Sequence, residues 1–497
     1  MFTGKSIIDV HSLTRDEIEY ILTKAAEIKQ ALQEKKPNVY NLARNKELLA
    51  ALLFYENSTR TKNSFEIAAK RLGLETVGFA GTEGTSVKKG ESLKHTLDMF
   101  HAYGCDVVIM RHHLDGAAKY AADYLDIPVF NAGDGQHEHP TQTLLDLFTI
   151  KEHLGKLTGI DIGMGGDLKY GRTVHSLAIA LAKFRNVRLH LYSHKLLAMP
   201  KSILTYLKEH KVKVTVHSSF EKMLKNVDVF YQTRIQKERM PDPEEFEKAK
   251  DACRFTLKHM ELTKKKFGIM HPLPINKEYP SIEPDVDYHE KALYKTQAGN
   301  GVPTRLAEIA LSLGLLGKDF KGKTHTETAP KQTFMRELKV KKQEKKTDQS
   351  LKPIRDEGTV IDHLQAGTAQ KLMYLLKVEE RGDIYRGGTV RRLSNRRRLK
   401  AMLMIESRTL TDDEMKVVAA ISPKCRVNTI QKGDVVKKVE LRMPEVIENV
   451  KYLKCKNSNC ITRVEFQEHI TPKFIRAGKK ILRCHYCDHL QEGKDLL

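Results

Sequence analysis

Several features of membrane and secreted proteins are missing from this 497-residue sequence. None of its apolar runs approaches the roughly 18 residues that are needed to cross a bilayer. Residues 1–10 have neither the apolar core of a signal peptide nor the bias of a transit peptide. Seven cysteines are too few for a disulfide scaffold in a chain of this length. We therefore expect a cytoplasmic protein of about three or four domains.

The charge balance of the sequence is strongly basic. Lysine and arginine number 85 against 63 aspartates and glutamates, which gives a formal net charge of +22. Such a surplus attracts anions, either nucleic acid or small and multiply charged metabolites, and charge alone does not decide between them. Hydrophobic residues make up 40% and charged residues 30% of the chain, which is typical of a globular protein and excludes wholesale disorder.

Residues 7–317 alternate between helical periodicity and short β-rich runs. The first helix is predicted to begin near Thr14, because Glu17 completes a capping box there. Strands that alternate with helices indicate βαβ units and parallel sheets. Because this region is long for one sheet, we expect two α/β lobes, which a helix over residues 140–153 could join. The predicted strands are 48–54, 107–110, 127–130, 160–164, 187–192, 212–216, 227–231 and 267–270.

The composition changes in the last third of the chain. Residues 321–352 are rich in basic and poor in apolar side chains, which indicates a solvated linker. Residues 353–450 are typical of an α+β domain, with a strand at 358–363 and an amphipathic helix at 366–377. Residues 381–400 are strongly basic and predict exposed strands or a hairpin. The remaining C-terminal residues form a small block that holds the clustered cysteines.

Four cysteines near the C-terminus form two closely spaced pairs. Two such pairs can place four thiolates around one zinc ion, and the segment is too short to bury much core without a metal. Two disulfides or four free thiols are the alternatives, and the lack of a secretion signal favours zinc. No open coordination position is implied, so the metal is predicted to be structural. The predicted ligands are Cys455, Cys460, Cys484 and Cys487. The other cysteines, Cys105, Cys253 and Cys425, are predicted to be buried small hydrophobes.

A hydroxyl-rich turn over residues 58–61, Ser-Thr-Arg-Thr, follows the predicted strand 48–54. A helix follows this turn and would end at Gly73. The arrangement brings backbone N–H groups, hydroxyls and a guanidinium together at a helix N-terminus, which suits phosphate. Plain capping by Asn57 or Ser58 would also explain the turn. A second loop, residues 86–91, carries two lysines and suits either an anion clamp or an ordinary solvated loop.

Further candidate residues lie where other predicted strands end. Arg111 follows the strand 107–110, and ligands of open α/β sheets bind at the carboxyl ends of strands. The pair His137 and His139 lacks a third metal ligand at useful spacing, so a histidine that donates to a substrate carbonyl is the better interpretation. A helix-start histidine capped by Thr141 is the alternative. The glycines beside Arg172 lack the G-x-G-x-x-G spacing of dinucleotide sites. Arg234, Gln236 and His271 follow later strands.

Together these clusters predict a cleft between two lobes, lined by arginine, lysine and histidine. The cleft contains no serine–histidine–acid set, no carboxylate pair and no set of metal ligands. It suits transfer from an activated phosphate ester or anhydride to an anionic acceptor. The protein would position two anions and stabilise a developing oxyanion.

These motifs resemble those of the aspartate carbamoyltransferase family. Residues 1–317 resemble its catalytic chain and residues 353–497 its regulatory chain, so two chains that are usually separate look fused through the basic linker. The resemblance implies two parallel-sheet α/β lobes of the carbamoyltransferase fold, then an α+β nucleotide-binding domain and a small zinc-binding β domain. The motifs that carry it are residues 58–61, 89–91, 139–142, 167–176, 233–239, 271–274, 358–363 and 457–461.

The resemblance also implies domain limits. These are 1–145 for the carbamoyl-phosphate-binding domain, 146–317 for the aspartate-binding domain, 318–352 for the linker, 353–450 for the nucleotide-binding domain and 451–497 for the zinc-binding domain.

The resemblance implies a reaction in which carbamoyl phosphate and L-aspartate give N-carbamoyl-L-aspartate and phosphate, an early step of pyrimidine biosynthesis. No catalytic cofactor is implied. The catalytic residues would be Arg60, Thr61, Lys89, Arg111 and His139. Phosphate would be bound by residues 58–61, the carbamoyl amide by Gln142, and the aspartate carboxylates by Arg172, Arg234 and Gln236. The substrate-binding residues would be Ser58, Thr59, Arg60, Thr61, Ser86, Lys89, Arg111, His139, Gln142, Arg172, Arg234, Gln236, Pro272 and Leu273.

Two parts of the resemblance concern assembly and closure. Ser86 and Lys89 look like a loop that reaches into a neighbouring subunit's site, which implies catalytic trimers joined by regulatory dimers. Glu56 resembles a residue that bridges the lobes to Arg172 and Arg239 on closure. No nucleic-acid or membrane partner is implied.

The regulatory resemblance implies CTP or ATP as effectors and one structural Zn²⁺ per chain. Met404 stands where the family commonly has a lysine that contacts the nucleotide, which leaves the strength and sign of the response open. Ile275 stands where many members have arginine, so we expect an altered domain closure rather than lost chemistry. The implied effector-binding residues are Asp362, His363, Asn428, Ile430 and Lys438.

Three other functions compete with this interpretation. Ornithine carbamoyltransferases share the phosphate motif, but they usually carry a cysteine where this chain has Pro272, and Arg234 favours an acidic acceptor. A nucleic-acid-binding protein would fit the net charge, but aromatic residues are not interleaved with the basic run 381–400. The zinc segment also lacks the spacing of a base-reading finger. A catalytically inactive assembly scaffold is opposed by the intact set of cleft residues.

Overall fold

The computed structural model describes residues 2–237, 240, 242–325, 333–340, 353–392, 395–450 and 453–496. Side chains within the strand residues 390–398 are not part of this description. Internal contacts divide the chain into two compact units, residues 1–326 and residues 327–497.

The first unit contains two parallel sheets. The first sheet has the strand order β2-β1-β3-β4, and the second has the order β7-β6-β5-β8-β9. The strands are β1 (Leu49–Phe54), β2 (Glu75–Ala80), β3 (Val107–His112), β4 (Val129–Asp134), β5 (Asp161–Gly165), β6 (Arg188–Tyr192), β7 (Lys213–Val216), β8 (Val229–Gln232) and β9 (Gly268–Met270). The predicted class of two parallel α/β lobes is therefore confirmed.

Helices connect these strands and cover the two sheets. They are α1 (Arg15–Gln33), α2 (Pro37–Tyr40), α3 (Thr59–Leu72), α4 (Leu93–Ala102), α5 (Ala117–Tyr124), α6 (Pro140–Leu154), α7 (Arg172–Leu181), α8 (Lys201–Glu209), α9 (Phe220–Leu224), α10 (Pro243–Ala249), α11 (Leu257–Met260), α12 (Tyr294–Gly299) and α13 (Gly301–Ser312). In the described parts of the chain, none of the helices combines the length and the apolar character that a bilayer crossing requires.

Local chemistry explains where these elements begin and end. Thr14 caps α1 by accepting from the backbone N–H of Glu17, whose carboxylate accepts from the Thr14 N–H, so the predicted capping box is confirmed. Gly73 ends α3 in the left-handed conformation with φ of 99°. The strand β2 was missed by sequence analysis because it carries no buried residue, so the apolar signal of a parallel strand is absent.

Both sheets change strand order beside their central strand. The reversal falls between β1 and β3 in the first sheet and between β5 and β8 in the second. Ligands of open α/β sheets bind outside the carboxyl ends of strands at such points. One apolar core includes Phe54 and Phe130 of the first sheet and Ile162 and Tyr231 of the second, so the two lobes share their packing.

The second unit contains two antiparallel sheets. A sheet with the order β10-β15-β14-β11-β13-β12 is followed by a smaller one with the order β16-β17-β18-β19. Its elements are β10 (Met335–Glu337), β11 (Gly358–Leu364), α14 (Ala369–Leu375), β12 (Tyr385–Arg392), β13 (Asn395–Glu406), α15 (Asp412–Ile421), β14 (Arg426–Gln431), β15 (Asp434–Leu441), β16 (Val446–Ile447), β17 (Phe474–Arg476), β18 (Ile481–Cys484) and β19 (Leu490–Glu492). The basic run 381–400 falls on the hairpin β12–β13.

The basic linker departs from the sequence prediction. Residues 318–352 were expected to form a solvated spacer, but Met335–Glu337 within them pair antiparallel with Val439–Leu441 at one edge of the large sheet. The hydrogen bond from the Arg442 N–H to the Phe334 carbonyl extends this pairing. Charged side chains are common on edge strands, which remain partly in water. The basic composition of this segment therefore could not distinguish a strand from a solvated coil.

Candidate active site and metal centre

A cavity of 1090 Å³ opens at the carboxyl ends of the strands in both sheets of the first unit. Segments after β1, β4, β5, β8 and β9 contribute to its lining, together with Arg111 near the carboxyl end of β3. The sequence had predicted this edge of the strands as the site. The predicted residues that line the cavity are Ser58, Thr59, Arg60, Thr61, Arg111, His139, Gln142, Arg172, Arg234, Gln236, Pro272 and Leu273.

The charge of this cavity is one-sided. Five guanidinium groups line it, whereas Glu56 is the one carboxylate among its described lining residues. The charge of Arg234, added to burial, lowers the pKa of Arg60, so the two cations oppose each other across the cavity. An anion bound between them would relieve this repulsion. The five arginines are Arg60, Arg111, Arg172, Arg234 and Arg305.

The turn between β1 and α3 forms an anion cradle. Residues 59–61 are the first three of α3, so their backbone N–H groups have no partner within the helix. Ser58 stands at the N-cap position, yet its side chain makes no capping hydrogen bond, which leaves the hydroxyl for a ligand. Plain capping by Ser58, the competing interpretation of this turn, is therefore not what the structure has. Thr61 is buried at the base of the cradle.

A glutamate connects two of the arginines. The Nε of Arg111 donates to Glu56 at 3.2 Å, and a guanidinium nitrogen of Arg172 lies 3.8 Å from the same carboxylate oxygen. Arg172 also donates to the carbonyl of Gly135 at 2.6 Å. Gly133 has φ of 113°, and a Cβ there would lie 3.0 Å from the Arg172 guanidinium carbon, so only glycine leaves this arginine in place. Glu56 thus connects the end of β3 to the second lobe.

His139 begins α6 and is buried in the wall of the cavity. Burial, together with the charges of Arg172, Arg111 and Arg305, holds the pKa of His139 well below its usual range. Its imidazole is therefore neutral and can donate one N–H to a substrate oxygen. The Oγ1 of Thr141 lies 3.4 Å from Nδ1.

The second lobe supplies the opposite wall. Gly166 has φ of 96°, and a Cβ at this position would lie 2.2 Å from the Thr233 carbonyl oxygen. This close approach of the loops after β5 and β8 brings Arg172 and Arg234 to the same cavity. Gln236 donates to the buried Asp167 at 3.4 Å, which fixes its amide.

The loop after β9 is held by its histidine. The Leu273 N–H donates to Nδ1 of His271 at 2.8 Å, and Nε2 of this ring lies 3.0 Å from the Ser281 hydroxyl. Burial and the charges of Arg234 and Arg60 lower the pKa of His271 to about 3. This neutral ring fixes the loop whose residues 272–273 line the cavity.

Two predicted residues are not brought to this cavity. Ser86 and Lys89 lie on an exposed 3₁₀ turn over residues 86–89, and neither is among the described residues that line the cavity. Their assignment to a neighbouring subunit's site stays a prediction. Arg239, which was expected to meet Glu56, lies outside the described residues.

Sequence analysis also missed several residues at the cavity. Arg305 on α13 is buried, lines the cavity and donates to the Ser64 hydroxyl on α3. Behind Gln142, the buried Asp146 accepts from three side chains. The signal was present, because a charged residue inside a helix that is otherwise apolar requires a partner.

The predicted effector residues lie on neighbouring strands of the large antiparallel sheet. Lys438, Asn428, Val360 and Met404 stand side by side across β15, β14, β11 and β13. Directly opposed residues share one face of a sheet, so these side chains form a row. Met404 is buried in a small apolar cluster together with Ile430.

Asp362 adds charge at the same sheet. It follows Val360 by two residues, accepts from Lys400 at 2.7 Å and also accepts from the His363 backbone N–H. These contacts, together with the charges of His363 and Lys400, outweigh burial and lower the pKa of Asp362.

The four clustered cysteines form a metal centre. All four are buried, and their sulfur atoms lie within 4.8 Å of one another. Cys455 and Cys487 have an Sγ–Sγ distance of 3.6 Å, and Cys460 and Cys484 one of 3.8 Å. A tetrahedron with metal–sulfur distances of about 2.3 Å has edges of about 3.8 Å, so the sulfurs fit one central ion. Disulfides are excluded for these cysteines because S–S bonds are about 2.05 Å long. Cys105, Cys253 and Cys425 are buried, as predicted.

The fold and the cavity define a carbamoyltransferase. Residues 5–152 match the family model of the aspartate/ornithine carbamoyltransferase carbamoyl-P binding domain, and residues 158–311 match that of the Asp/Orn binding domain. Residues 350–442 match the allosteric domain of the aspartate carbamoyltransferase regulatory chain, and residues 445–497 match its metal binding domain. The chain therefore belongs to the aspartate carbamoyltransferase family, and it joins the catalytic and regulatory domains in one polypeptide.

Similar proteins are catalytic subunits of this family. The aspartate carbamoyltransferase catalytic subunit of Thermococcus kodakarensis is 48% identical over 314 residues, which cover 63% of this chain and 98% of the relative. The catalytic subunit of M. jannaschii aspartate transcarbamoylase has a solved structure that is 43% identical, with a TM-score of 0.57, and the match covers 62% of this chain and 97% of that one. A Trypanosoma cruzi aspartate transcarbamoylase in complex with carbamoyl phosphate and aspartate is 33% identical, with a TM-score of 0.58, over 63% and 96% of the two chains.

Proposed function

We propose that this chain transfers the carbamoyl group of carbamoyl phosphate to L-aspartate and releases N-carbamoyl-L-aspartate and phosphate. One observation carries the proposal: the phosphate cradle of the first lobe and two arginines of the second lobe open onto the same cavity. A cradle suits the phosphate of the donor, and two guanidinium groups suit the two carboxylates of the acceptor.

The first lobe would bind and polarise carbamoyl phosphate. The N–H groups and hydroxyls of residues 58–61, with the Arg60 guanidinium, would hold the phosphate. Arg111, Thr61 and the neutral His139 would donate to the carbonyl oxygen, where negative charge develops. Gln142 would orient the amide of the carbamoyl group.

The second lobe would hold aspartate with its amine against this carbonyl. Arg172, Arg234 and Gln236 would bind the carboxylates, and carbonyls of residues 272–273 would accept from the amine. The new C–N bond forms as the bond from the carbonyl carbon to the phosphate oxygen breaks. Because His139 and His271 have lowered pKa values and are poor bases, the departing phosphate is the group that accepts the amine proton.

The test is the initial rate of carbamoyl-aspartate formation against aspartate concentration, with L-ornithine as the competing acceptor. Product with aspartate and none with ornithine is expected, since the arginines select an acidic acceptor. The R234A variant should raise the KM for aspartate at least about tenfold, as expected for a lost charged hydrogen bond. Absence of product with aspartate from pure enzyme would overturn the proposal.

We also propose zinc as the ion of the metal centre, because four thiolates in a tetrahedron favour Zn²⁺. Metal analysis of the purified chain should give about one zinc per polypeptide. The four thiolates would fill all coordination positions of the ion, so the metal would stabilise the fold and take no part in the reaction. Iron or no metal at a stoichiometry near one would contradict this assignment.

We propose that CTP or ATP binds as an effector at the large antiparallel sheet, near Asp362, His363, Asn428, Ile430 and Lys438. We also propose an assembly of catalytic trimers joined by regulatory dimers. A shift of the aspartate saturation curve by CTP supports the first part. A mass that is a multiple of three chains, with Lys89 completing a neighbour's site, supports the second. A rate that nucleotides do not change, or an active monomer, would overturn them.

Two further assignments belong to the same proposal. We propose the domain limits given in the sequence analysis. The limit between residues 145 and 146 falls inside α6, whose apolar residues pack in the core that the two lobes share. The cytoplasmic location fits a biosynthetic transferase with small charged substrates. Fractionation of cells would test it.

A further inference from the structure

A carboxylate that the reaction scheme does not use lies directly behind Gln142. Asp146 is one helical turn further along α6 and is fully buried. Its Oδ1 accepts from the Gln142 amide nitrogen at 2.9 Å and from the Gln297 amide nitrogen at 2.7 Å. Its Oδ2 accepts from the Tyr231 hydroxyl at 2.7 Å. Three donors from three elements therefore converge on one buried carboxylate.

These contacts continue to the opposite wall of the cavity. Gln297 on α12 turns its carbonyl oxygen to the backbone N–H of His271, at 2.9 Å. His271 in turn holds Leu273, whose carbonyl is a proposed acceptor for the amines. Asp146 thus stands between the amide that would orient the carbamoyl group and the loop that would meet it.

The direction of the Gln142 amide follows from this arrangement. An ionised carboxylate only accepts hydrogen bonds, so the glutamine must offer its NH₂ group to Asp146. Its carbonyl oxygen is then left for the cavity. This oxygen can accept from the NH₂ of a carbamoyl group, whereas the methyl of an acetyl group gives it no hydrogen bond. We infer that Asp146 is a positioning residue that makes the site selective for carbamoyl phosphate over acetyl phosphate, an inference that rests on the proposed function.

The substitution D146L removes both acceptor oxygens and keeps a side chain that branches at the γ position. D146N would be a weaker test, because the asparagine oxygen could still accept from Gln142 and Gln297 while its NH₂ donates to the Tyr231 hydroxyl. In D146L the Gln142 amide loses the partner that orients it, so its carbonyl oxygen is no longer held for the NH₂ of the carbamoyl group. The selectivity should fall while the phosphate cradle is left untouched.

The experiment compares three ligands at about pH 8.5, because burial raises the pKa of Asp146 to about 7 and the carboxylate is ionised at higher pH. Carbamoyl phosphate is followed by its KM, and acetyl phosphate and inorganic phosphate by their inhibition constants. D146L should raise the KM of carbamoyl phosphate about tenfold, as for the loss of one oriented hydrogen bond. The two inhibition constants should change less than about twofold, because neither ligand uses the glutamine oxygen.

Two controls separate positioning from general damage. The variant E152Q alters another carboxylate of α6, one that contacts Lys29 and Asn300 away from the cavity, and should leave all three constants unchanged. The double variant D146L/Q142A should be no worse than Q142A alone, because Asp146 acts through Gln142. Equal losses for all three ligands, or an unchanged KM for carbamoyl phosphate, would overturn the inference.

The smaller substitution D146A removes the same two acceptor oxygens and gives a second measurement in case D146L does not fold. The ratio of carbamoyl to acetyl phosphate affinity should fall in D146A as it does in D146L. An unchanged ratio contradicts the positioning role, whereas wild-type enzyme that makes no carbamoyl aspartate contradicts the proposed function instead.

Discussion

The catalytic cavity and the effector face of this chain are built in opposite ways. The cavity gathers polar side chains mainly from loops and helix starts at the carboxyl ends of parallel strands. The effector face is the flat side of an antiparallel sheet, and its residues are members of the strands themselves. There Met404 packs with Ile354 and Ile430, so a change of this side chain would also change the packing of the sheet. A site on loops can keep its chemistry while the core changes, and a site on strands cannot.

Removal of the metal should separate the two sites most strongly. The cysteines share one core with both sheets of the second unit, so C460S should unfold the effector face while the cavity, which has its own core, keeps its activity. The melting temperature of the second unit should fall by more than about 10 °C, as expected when a structural ion worth several kcal/mol is lost. Calorimetry and zinc analysis measure this loss. C425A, which removes a buried cysteine outside the centre, is the matched control, and a parallel loss of zinc in that variant would contradict the assignment.

The converse change disables the cavity and spares the effector face. R111A removes the proposed donor to the reacting carbonyl and the contact with Glu56, so kcat should fall about 10²–10³-fold, as for other oxyanion donors. Nucleotide binding and zinc content should not change. R188A, which removes an arginine paired with Asp161 away from the cavity, should retain the wild-type rate. A loss of rate in both variants would mean that the effect is structural.

The effector face should respond to one substitution in the row. M404K adds an ammonium to the face of the sheet that carries Asn428 and Lys438, with Val360 between it and Asn428. CTP should then bind about tenfold more tightly, as for one added charged hydrogen bond. M404L, which keeps the apolar cluster, should leave the affinity as it is. Titration calorimetry with CTP measures both. Weaker binding by M404K would show that the loss of packing with Ile354 outweighs the new contact.

The same contrast between a site on loops and a site on strands explains how much of each site the sequence predicted. The order of strand, turn and helix was sufficient to predict the cradle at Thr61 and the position of Arg111 at the cavity. The residue types at the ends of strands can be read from the sequence without knowledge of the core packing. Asp146 and Arg305 were missed because they lie in helices that otherwise have the pattern of core. The strand β10 was missed because an edge strand of charged residues resembles coil. The role proposed for Lys89 rests on the family resemblance, because this residue lies on an exposed turn outside the described lining of the cavity.

The smallest predicted effect concerns pH at the effector face. The pKa of Asp362 is lowered in the folded chain, so the carboxylate stabilises the second unit above its unfolded pKa, and this contribution is lost as the pH falls through the lower folded value. Without nucleotide, D362N should cost about 1 kcal/mol at neutral pH, as for one partly exposed ion pair. The difference from wild type should vanish in acid. D356N, at an exposed position before β11, is the control and should cost nothing measurable.

The pairing of β10 with β15 shortens the stretch of chain that joins the two halves of the polypeptide. Lys323 contacts α1 through Asp16, and Met335 pairs with a strand of the large antiparallel sheet. Twelve residues, the length of chain from one of these anchors to the other, extend at most about 43 Å, whereas residues 318–352 at full extension would span about 120 Å. The edge strand therefore keeps these two anchors of one polypeptide about three times closer than the full linker would.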